Sequence, residues 1–282
     1  MFVWSKLSSA KWGDAWEERF GGNPHFSLVI TSVPGRPTIR VELYAEKEKP
    51  LLAVQRDFGG SVREIKSRNW AALTTPVTPP LQVRGRLVIC AARTPAEVAK
   101  AAKEHPGREV IAIPADMAFG TGHHATTATV LRLLVDAATR LKGARWTMAD
   151  LGCGSGILAI AAAKLGAAKV WGCDFDPQAV KVAKENLQRN ATPKVKLVRA
   201  DVLKWQPKEQ YDIVAANIFF DILEAGFPQF VRAVKPGGIL MASGILKEQA
   251  PHCLQVAAGL GIRWDKVLAK GKWVTAIGTR VS

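Results

Sequence analysis

The chain is short of cysteine, of long apolar runs and of gathered charge. Its 282 residues include four cysteines, Cys90, Cys153, Cys173 and Cys253, scattered with no C-x-x-C pair. That spacing excludes a zinc ribbon and a disulfide framework and suits a reducing cytoplasm. No apolar stretch approaches the roughly 18–20 residues needed to cross a bilayer. The opening Met1-Phe2-Val3-Trp4-Ser5-Lys6 lacks the basic-then-apolar pattern of a secretory leader. A cytoplasmic protein that engages no membrane is therefore expected.

Acidic residues are scarce as well. Lys and Arg together number 39 against 24 for Asp and Glu, a net charge of +15. Such an excess points to nucleic acid only where it is concentrated. Here it is spread, with +3 over residues 1–83, +5 over 84–145 and +7 over 146–282, and it forms neither a basic tail nor a block of like charge. Evenly spaced lysines read as solvated helix faces, so the charge names no partner. Hydrophobic residues at 48% and charged residues at 22% exclude a disordered or fibrous chain. A chain of this length buries a sizeable core in one or two domains.

What is present is ordered along the chain. Gly13–Phe20 has helical spacing, and Phe26–Ser32 and Thr38–Ala45 read as strands joined by the turn signal Pro34-Gly35-Arg36-Pro37. Thr74-Thr75-Pro76-Val77-Thr78-Pro79-Pro80 cannot continue a helix and suits a stiff linker. The division that follows is a small α+β domain over residues 1–75, a Pro-rich linker over 76–83 and a larger domain over 84–282. From Trp146 onward, strand runs alternate with helices: Trp146–Leu151, Ile157–Leu165, Lys169–Asp174, Pro177–Asn190, Lys194–Arg199, Tyr211–Ala216, Phe220–Val234, Ile239–Ser243 and Leu246–Leu260. That alternation indicates βαβ units and a parallel sheet. The closing runs Arg263–Ala269 and Trp273–Val281 have no long helix between them and are expected to pair antiparallel.

The strongest local signal is Asp150-Leu151-Gly152-Cys153-Gly154-Ser155-Gly156 at a strand–helix junction. Alternate glycines at Gly152, Gly154 and Gly156 let the backbone turn tightly and approach a ligand closely. The third glycine of dinucleotide-binding loops, three residues further on, is missing, so a cofactor without a pyrophosphate fits better. About 20 residues later a strand ends at Asp174, placed to accept hydrogen bonds from ribose hydroxyls. Asp176 before Pro177 reads as a helix cap. After the third strand, Asp201 is a candidate for an adenine amino group. Each isolated Asp also suits a cap or turn; together, in this order, they favour a nucleoside-bearing cofactor.

These residues resemble a class I S-adenosylmethionine-dependent methyltransferase. Three further segments, Phe119-Gly120-Thr121-Gly122-His123-His124-Ala125-Thr126-Thr127, Ala216-Asn217-Ile218 and Lys235–Leu246 (KPGGILMASGIL), make residues 110–282 similar to the ribosomal protein L-eleven methyltransferase family. The resemblance implies a Rossmann-like α/β domain with a seven-stranded, mostly parallel sheet and an antiparallel last strand, beside a small N-terminal substrate-recognition domain. It implies S-adenosylmethionine as cofactor and amino groups of a large-subunit ribosomal protein, free or near ribosomal RNA, as acceptors. It places cofactor contacts on Thr127, Gly152, Asp174 and Asn217. His123 and Ala125 depart from the residues frequent there.

Asn217 is also the candidate catalytic residue. A lysine with a pKa of about 10.4 is almost wholly protonated at pH 7, and neutralising it costs about 4–5 kcal/mol. A strand-end Asn carbonyl can aim the neutral amine without adding charge. Enzymes that methylate adenine or glutamine amines typically carry Asn-Pro-Pro and an aromatic; here the run is Asn217-Ile218-Phe219-Phe220. His123 and His124 have no third ligand at suitable spacing, so no metal is expected. Other acceptors, a different protein lysine or a small amine, remain open, as does an RNA-binding methyltransferase-like module.

Overall fold

The computed structural model describes residues 2–20, 26–32, 36–45, 47–64, 79–114 and 122–281, without the side chains of Asp14, Glu17, Glu18 and Ser32. The chain divides into two compact units, Met1–Val77 and Thr78–Ser282.

The first unit is a four-stranded antiparallel sheet in the order β2-β3-β1-β4, formed by β1 (Phe2–Ser9), β2 (Ser27–Ser32), β3 (Thr38–Ala45) and β4 (Ser61–Glu64). Helices α1 (Gly13–Phe20) and α2 (Glu48–Phe58) supply its other core residues. Trp4, Val41 and Leu43 are fully buried there with Leu51 of α2 and Trp16 and Phe20 of α1. Each buried indole keeps a partner for its N–H: Trp4 Nε1 donates to Gly59 O at 2.7 Å and Trp16 Nε1 to Ser8 Oγ at 2.9 Å. The N-terminal tryptophans are therefore mainly core, with Trp12 exposed. Trp70 lies outside the described residues, as do residues 76–78 of the expected linker. The linker's last three residues, Leu81–Val83, instead form β5, which pairs antiparallel with β6 (Leu87–Cys90).

In the second unit β6 runs parallel to β7 (Glu109–Ala112), making a three-stranded sheet with β5 at its edge. Helix α3 (Pro95–Glu104) crosses between β6 and β7 and starts on a full capping box of Thr94 and Glu97. The main sheet has seven strands: β8 (Thr147–Leu151), β9 (Lys169–Asp174), β10 (Val195–Arg199), β11 (Tyr211–Asn217), β12 (Val234–Leu246), β13 (Ile262–Lys270) and β14 (Trp273–Arg280). Their order is β10-β9-β8-β11-β12-β14-β13, and β14 runs opposite to the other six. The expected antiparallel pairing of the last two runs holds, with the final strand inserted between β12 and β13.

Helices cover both faces. Residues of α4 (Ala125–Arg140), α5 (Ile157–Lys164) and α6 (Pro177–Arg189) join one core with Met148, Ile213 and Met241. Those of α7 (Phe220–Ala233) and α8 (Ala250–Gly259) join the other with Leu151, Val214 and Ala242. The sequence analysis does not place α4: eleven of its sixteen residues are buried, and only a narrow polar stripe of Arg132, Asp136, Thr139 and Arg140 marks its helical period. Strand β12 also begins earlier than Ile239. Its register jumps from Tyr211↔Val234 to Ile213↔Ile239, so Lys235-Pro236-Gly237-Gly238 is absorbed as an irregularity within one strand.

Candidate active site

The strand order reverses at β8, with β9 on one side and β11 on the other. Ligands of open α/β sheets bind beyond the carboxyl ends of the strands at such a switch point. The register there is specific. Leu151 pairs with Cys173 on one side and Ala216 on the other, and Gly152, Asp174 and Asn217 are the residues that follow this rung at the carboxyl ends of the three strands. Residues spread over 65 positions of the chain are thus brought to one edge.

The glycine loop is fixed by backbone conformation and by two carboxylates. Gly152, Gly154 and Gly156 all have positive φ, at 68°, 51° and 78°. A Cβ at Gly152 would fall 2.2 Å from Ile218 Cγ2, so the loop passes β11's end closely. Asp174 Oδ2 accepts from Gly154 N–H at 2.9 Å, and its Oδ1 accepts from Asp176 N–H at 3.0 Å. Asp176 caps α6 through Gln178 N–H at 2.8 Å, with Pro177 at the first helical position.

Asp150, named in the sequence only as the first letter of the glycine motif, is wholly buried beneath the loop. Its Oδ2 accepts from Ala159 N–H at 3.0 Å in the first turn of α5, whose N-cap Gly156 has no side chain to offer. Its Oδ1 has no hydrogen-bond partner among the described residues. Burial pushes its carboxyl up to about 7, opposed by the Ala159 N–H and reinforced by the Asp174 charge. Burial also pushes the Cys153 and Cys173 thiols upward, the latter to about 12, so neither is a thiolate nucleophile.

Across the rung, Asn217 Nδ2 donates to Thr127 Oγ1 on α4 at 3.3 Å. Asn217 pairs with Ser243, and Ser243 with Thr275, continuing a polar row into β14. The hydroxyls of those two buried residues lie 2.7 Å apart. His124 caps α4, its Nδ1 accepting from Thr126 N–H at 3.4 Å and lying 2.7 Å from Thr126 Oγ1. The imidazole meets the Trp273 indole edge-on, with centroids 5.3 Å apart. Trp273 is half-buried at the head of β14 and belongs to this edge rather than to the core. Phe119, Gly120 and Thr121 lie outside the described residues.

Asp201 lies one strand further out along the same edge. It follows β10, whose last residue Arg199 pairs with Asp174, and its Oδ1 accepts from Leu203 N–H at 3.0 Å. Phe219 and Phe220 separate in role: Phe219 is 70% exposed at the N-cap of α7, while Phe220 packs against the core. Among the described residues no group of three His, Cys, Asp or Glu is placed to hold a metal ion, and no helix is long and apolar enough to cross a membrane.

The edge thus offers backbone N–H groups, carboxylates and an uncharged amide, with no Lys or Arg between Ala149 and Ala168 except Lys164 at the far end of α5. Such a lining disfavours phosphates and suits a cationic, hydroxyl-bearing cofactor.

A family model described as ribosomal protein L11 methyltransferase matches residues 28–281. A relative of that name from Pelotomaculum thermopropionicum is 39% identical over 218 residues, covering 76% of this chain and 66% of its own. Another, from Gloeobacter violaceus, is 36% identical over 271 residues, covering 91% of this chain and 79% of its own. A solved structure of a ribosomal protein L11 methylase from Lactobacillus delbrueckii subsp. bulgaricus aligns with a TM-score of 0.60 at 28% identity, over 72% of this chain and 99% of that one.

Proposed function

Because the chain belongs to the ribosomal protein L11 methyltransferase family, we propose that it transfers methyl groups from S-adenosylmethionine to amino groups of ribosomal protein L11, on lysine side chains or the N-terminus. The observation that supports the reading is the rung of Leu151, Cys173 and Ala216, after which the glycine loop, Asp174 and Asn217 follow at one sheet edge. The orphaned Oδ1 of buried Asp150 and the positive-φ glycines of the loop fit this cofactor. When bound, S-adenosylmethionine supplies a methyl on a cationic sulfur that departs as a neutral thioether.

The residues have separable tasks. Asp174 keeps lone pairs on both oxygens for ribose hydroxyls while holding Gly154 and Asp176. Gly152, Gly154 and Gly156 let the loop backbone approach the cofactor, and Asp201 is assigned the adenine amino group. With Nδ2 engaged by Thr127, the Asn217 carboxamide offers Oδ1 to an N–H of the incoming amine, turning its lone pair toward the methyl. A lysine entering this edge arrives protonated and gives its proton to solvent before its lone pair attacks the methyl. The small N-terminal domain is assigned acceptor recognition, and the buried free cysteines suit a reducing cytoplasm.

Ribosomes from cells lacking this enzyme, incubated with the purified protein and labelled S-adenosylmethionine, test the proposal. Label in L11, located by mass spectrometry on amino groups, is the expected result. Label confined to another protein, a small amine or RNA would overturn it.

A further inference from the structure

The sequence leaves an electrostatic puzzle: a +15 enzyme is to meet a protein that is itself expected to be basic, since ribosomal proteins neutralise RNA phosphates with Lys and Arg. The structure shows where the positive charge is withheld. Residues 213–231 and 248–262 contain no Lys or Arg and carry Asp221, Glu224 and Glu248, whereas Glu209 and Asp212 just before them are paired with Lys169 and Lys235. These two segments include nearly all of α7 and all of α8, which pack side by side. Between them runs a groove of about 570 Å³. Its floor is apolar, with Ala225, Pro228, Val256 and Leu260, and its carboxylates are Asp221 and Glu224.

The local fold explains the groove. Asp221, Glu224, Ala225 and Pro228 follow i, i+3, i+4, i+7 spacing and so share one face of α7. Glu224 is bonded to His252 of α8 at 3.0 Å, while Leu260 remains 40% exposed. An apolar floor edged by carboxylates complements Lys and Arg side chains, whose methylene stems lie on apolar surface while the charged tips reach acceptors. The groove also starts beside the chemistry. Phe219, 70% exposed, caps α7 two residues after Asn217, and Asp221 lies in the first turn. From Phe219 to Pro228 the helix extends about 14 Å, the reach of about four extended residues.

We propose that the α7–α8 groove docks a Lys/Arg-bearing segment of the methyl-acceptor protein, about four residues from the amino group at Asn217. The inference rests on the L11 reading for the acceptor's identity, and on the groove alone for its chemistry. The test measures two quantities with the full-length protein and purified L11: equilibrium binding by fluorescence anisotropy, and methyl transfer at varied L11. The double variant D221K/E224K is expected to weaken binding and raise KM for L11 at least tenfold. Its kcat at saturating L11 and its S-adenosylmethionine Kd stay at wild-type values, which also reports an intact fold. The neutral pair D221N/E224Q is expected to fall between. Unchanged L11 binding in the charge-reversed variant overturns the groove, even if label is transferred. Variant-sensitive binding without any transfer to L11 overturns the function and keeps the groove. Loss of self-association rather than of L11 binding in the variant would assign the groove to a second copy and overturn the proposal.

Discussion

The two halves of the sheet edge are built from different materials. On the β8–β9 side, contacts come from backbone: three glycines in positive φ, Gly154 N–H on Asp174, Ala159 N–H on Asp150. On the β11–β14 side they come from side chains: Asn217 on Thr127, Ser243 on Thr275, His124 on Trp273, with Phe219 open to solvent. A backbone cradle cannot be retuned by single substitutions without strain, which suits a cofactor of fixed shape. A side-chain wall can be altered residue by residue, which suits a site that chooses its acceptor.

That contrast predicts different failures on the two sides. Asn217→Ala removes the amide that orients the amine, so kcat is expected to fall about a hundredfold, with a much smaller rise in cofactor Kd from its lost cofactor contact. Single-turnover rates and cofactor titration separate the two, and a kcat within threefold of wild type refutes the assignment. Asp174→Ala acts in reverse. It removes ribose contacts and the Gly154 tie together, so the cofactor Kd is expected to rise by more than about tenfold, in line with two charge-assisted hydrogen bonds lost. Calorimetry with the apo-protein measures it, and an unchanged Kd removes Asp174 from the ribose role. Gly152→Ala puts a methyl on Ile218 and an L-residue at φ 68°, costing about 1–2 kcal/mol of stability. Equal urea midpoints for the two proteins would show that the loop relaxes freely, and the contrast between the halves would dissolve.

The backbone half was the more legible one, and the reason is physical. Glycines required by positive φ and a carboxylate at a strand end are local necessities, so Gly152–Gly156, Asp174 and the Asp176-Pro177 cap stand in the sequence as they act in the structure. The side-chain half depends on distant pairings. Trp273 reaches His124 across 149 positions, and nothing near either residue signals it. Helix α4, which is capped by His124 and carries Thr127, is mostly buried, and only the narrow stripe Arg132, Asp136, Arg140 gives its period. The α7–α8 groove is written as an absence of cations in two separate segments, which becomes a surface only when the helices are side by side. Asp150 was visible but its state was not, because burial rather than sequence sets it.

Asp150 gives the finest test of the backbone half, since it caps α5 from below without a partner for its second oxygen. In the folded apo-protein its carboxyl is held up at about 7, against 3.8 when unfolded. Between those values the native state binds the extra proton, so stability falls as pH rises through the window. For one group the slope is at most about 1.4 kcal/mol per pH unit. Glu209 and Asp212 are shifted downward, so their contributions have the opposite sign and are made at more acid pH. Asp150→Asn imitates the protonated acid, keeps an acceptor for Ala159 N–H and does not titrate. Urea unfolding of the apo-proteins at pH 5.5 and 6.5 is expected to show wild type losing about 1 kcal/mol more than the variant over that unit. Parallel slopes would mean that Asp150 is ionised in the folded protein, and the cradle would then hold two buried-edge negative charges rather than one.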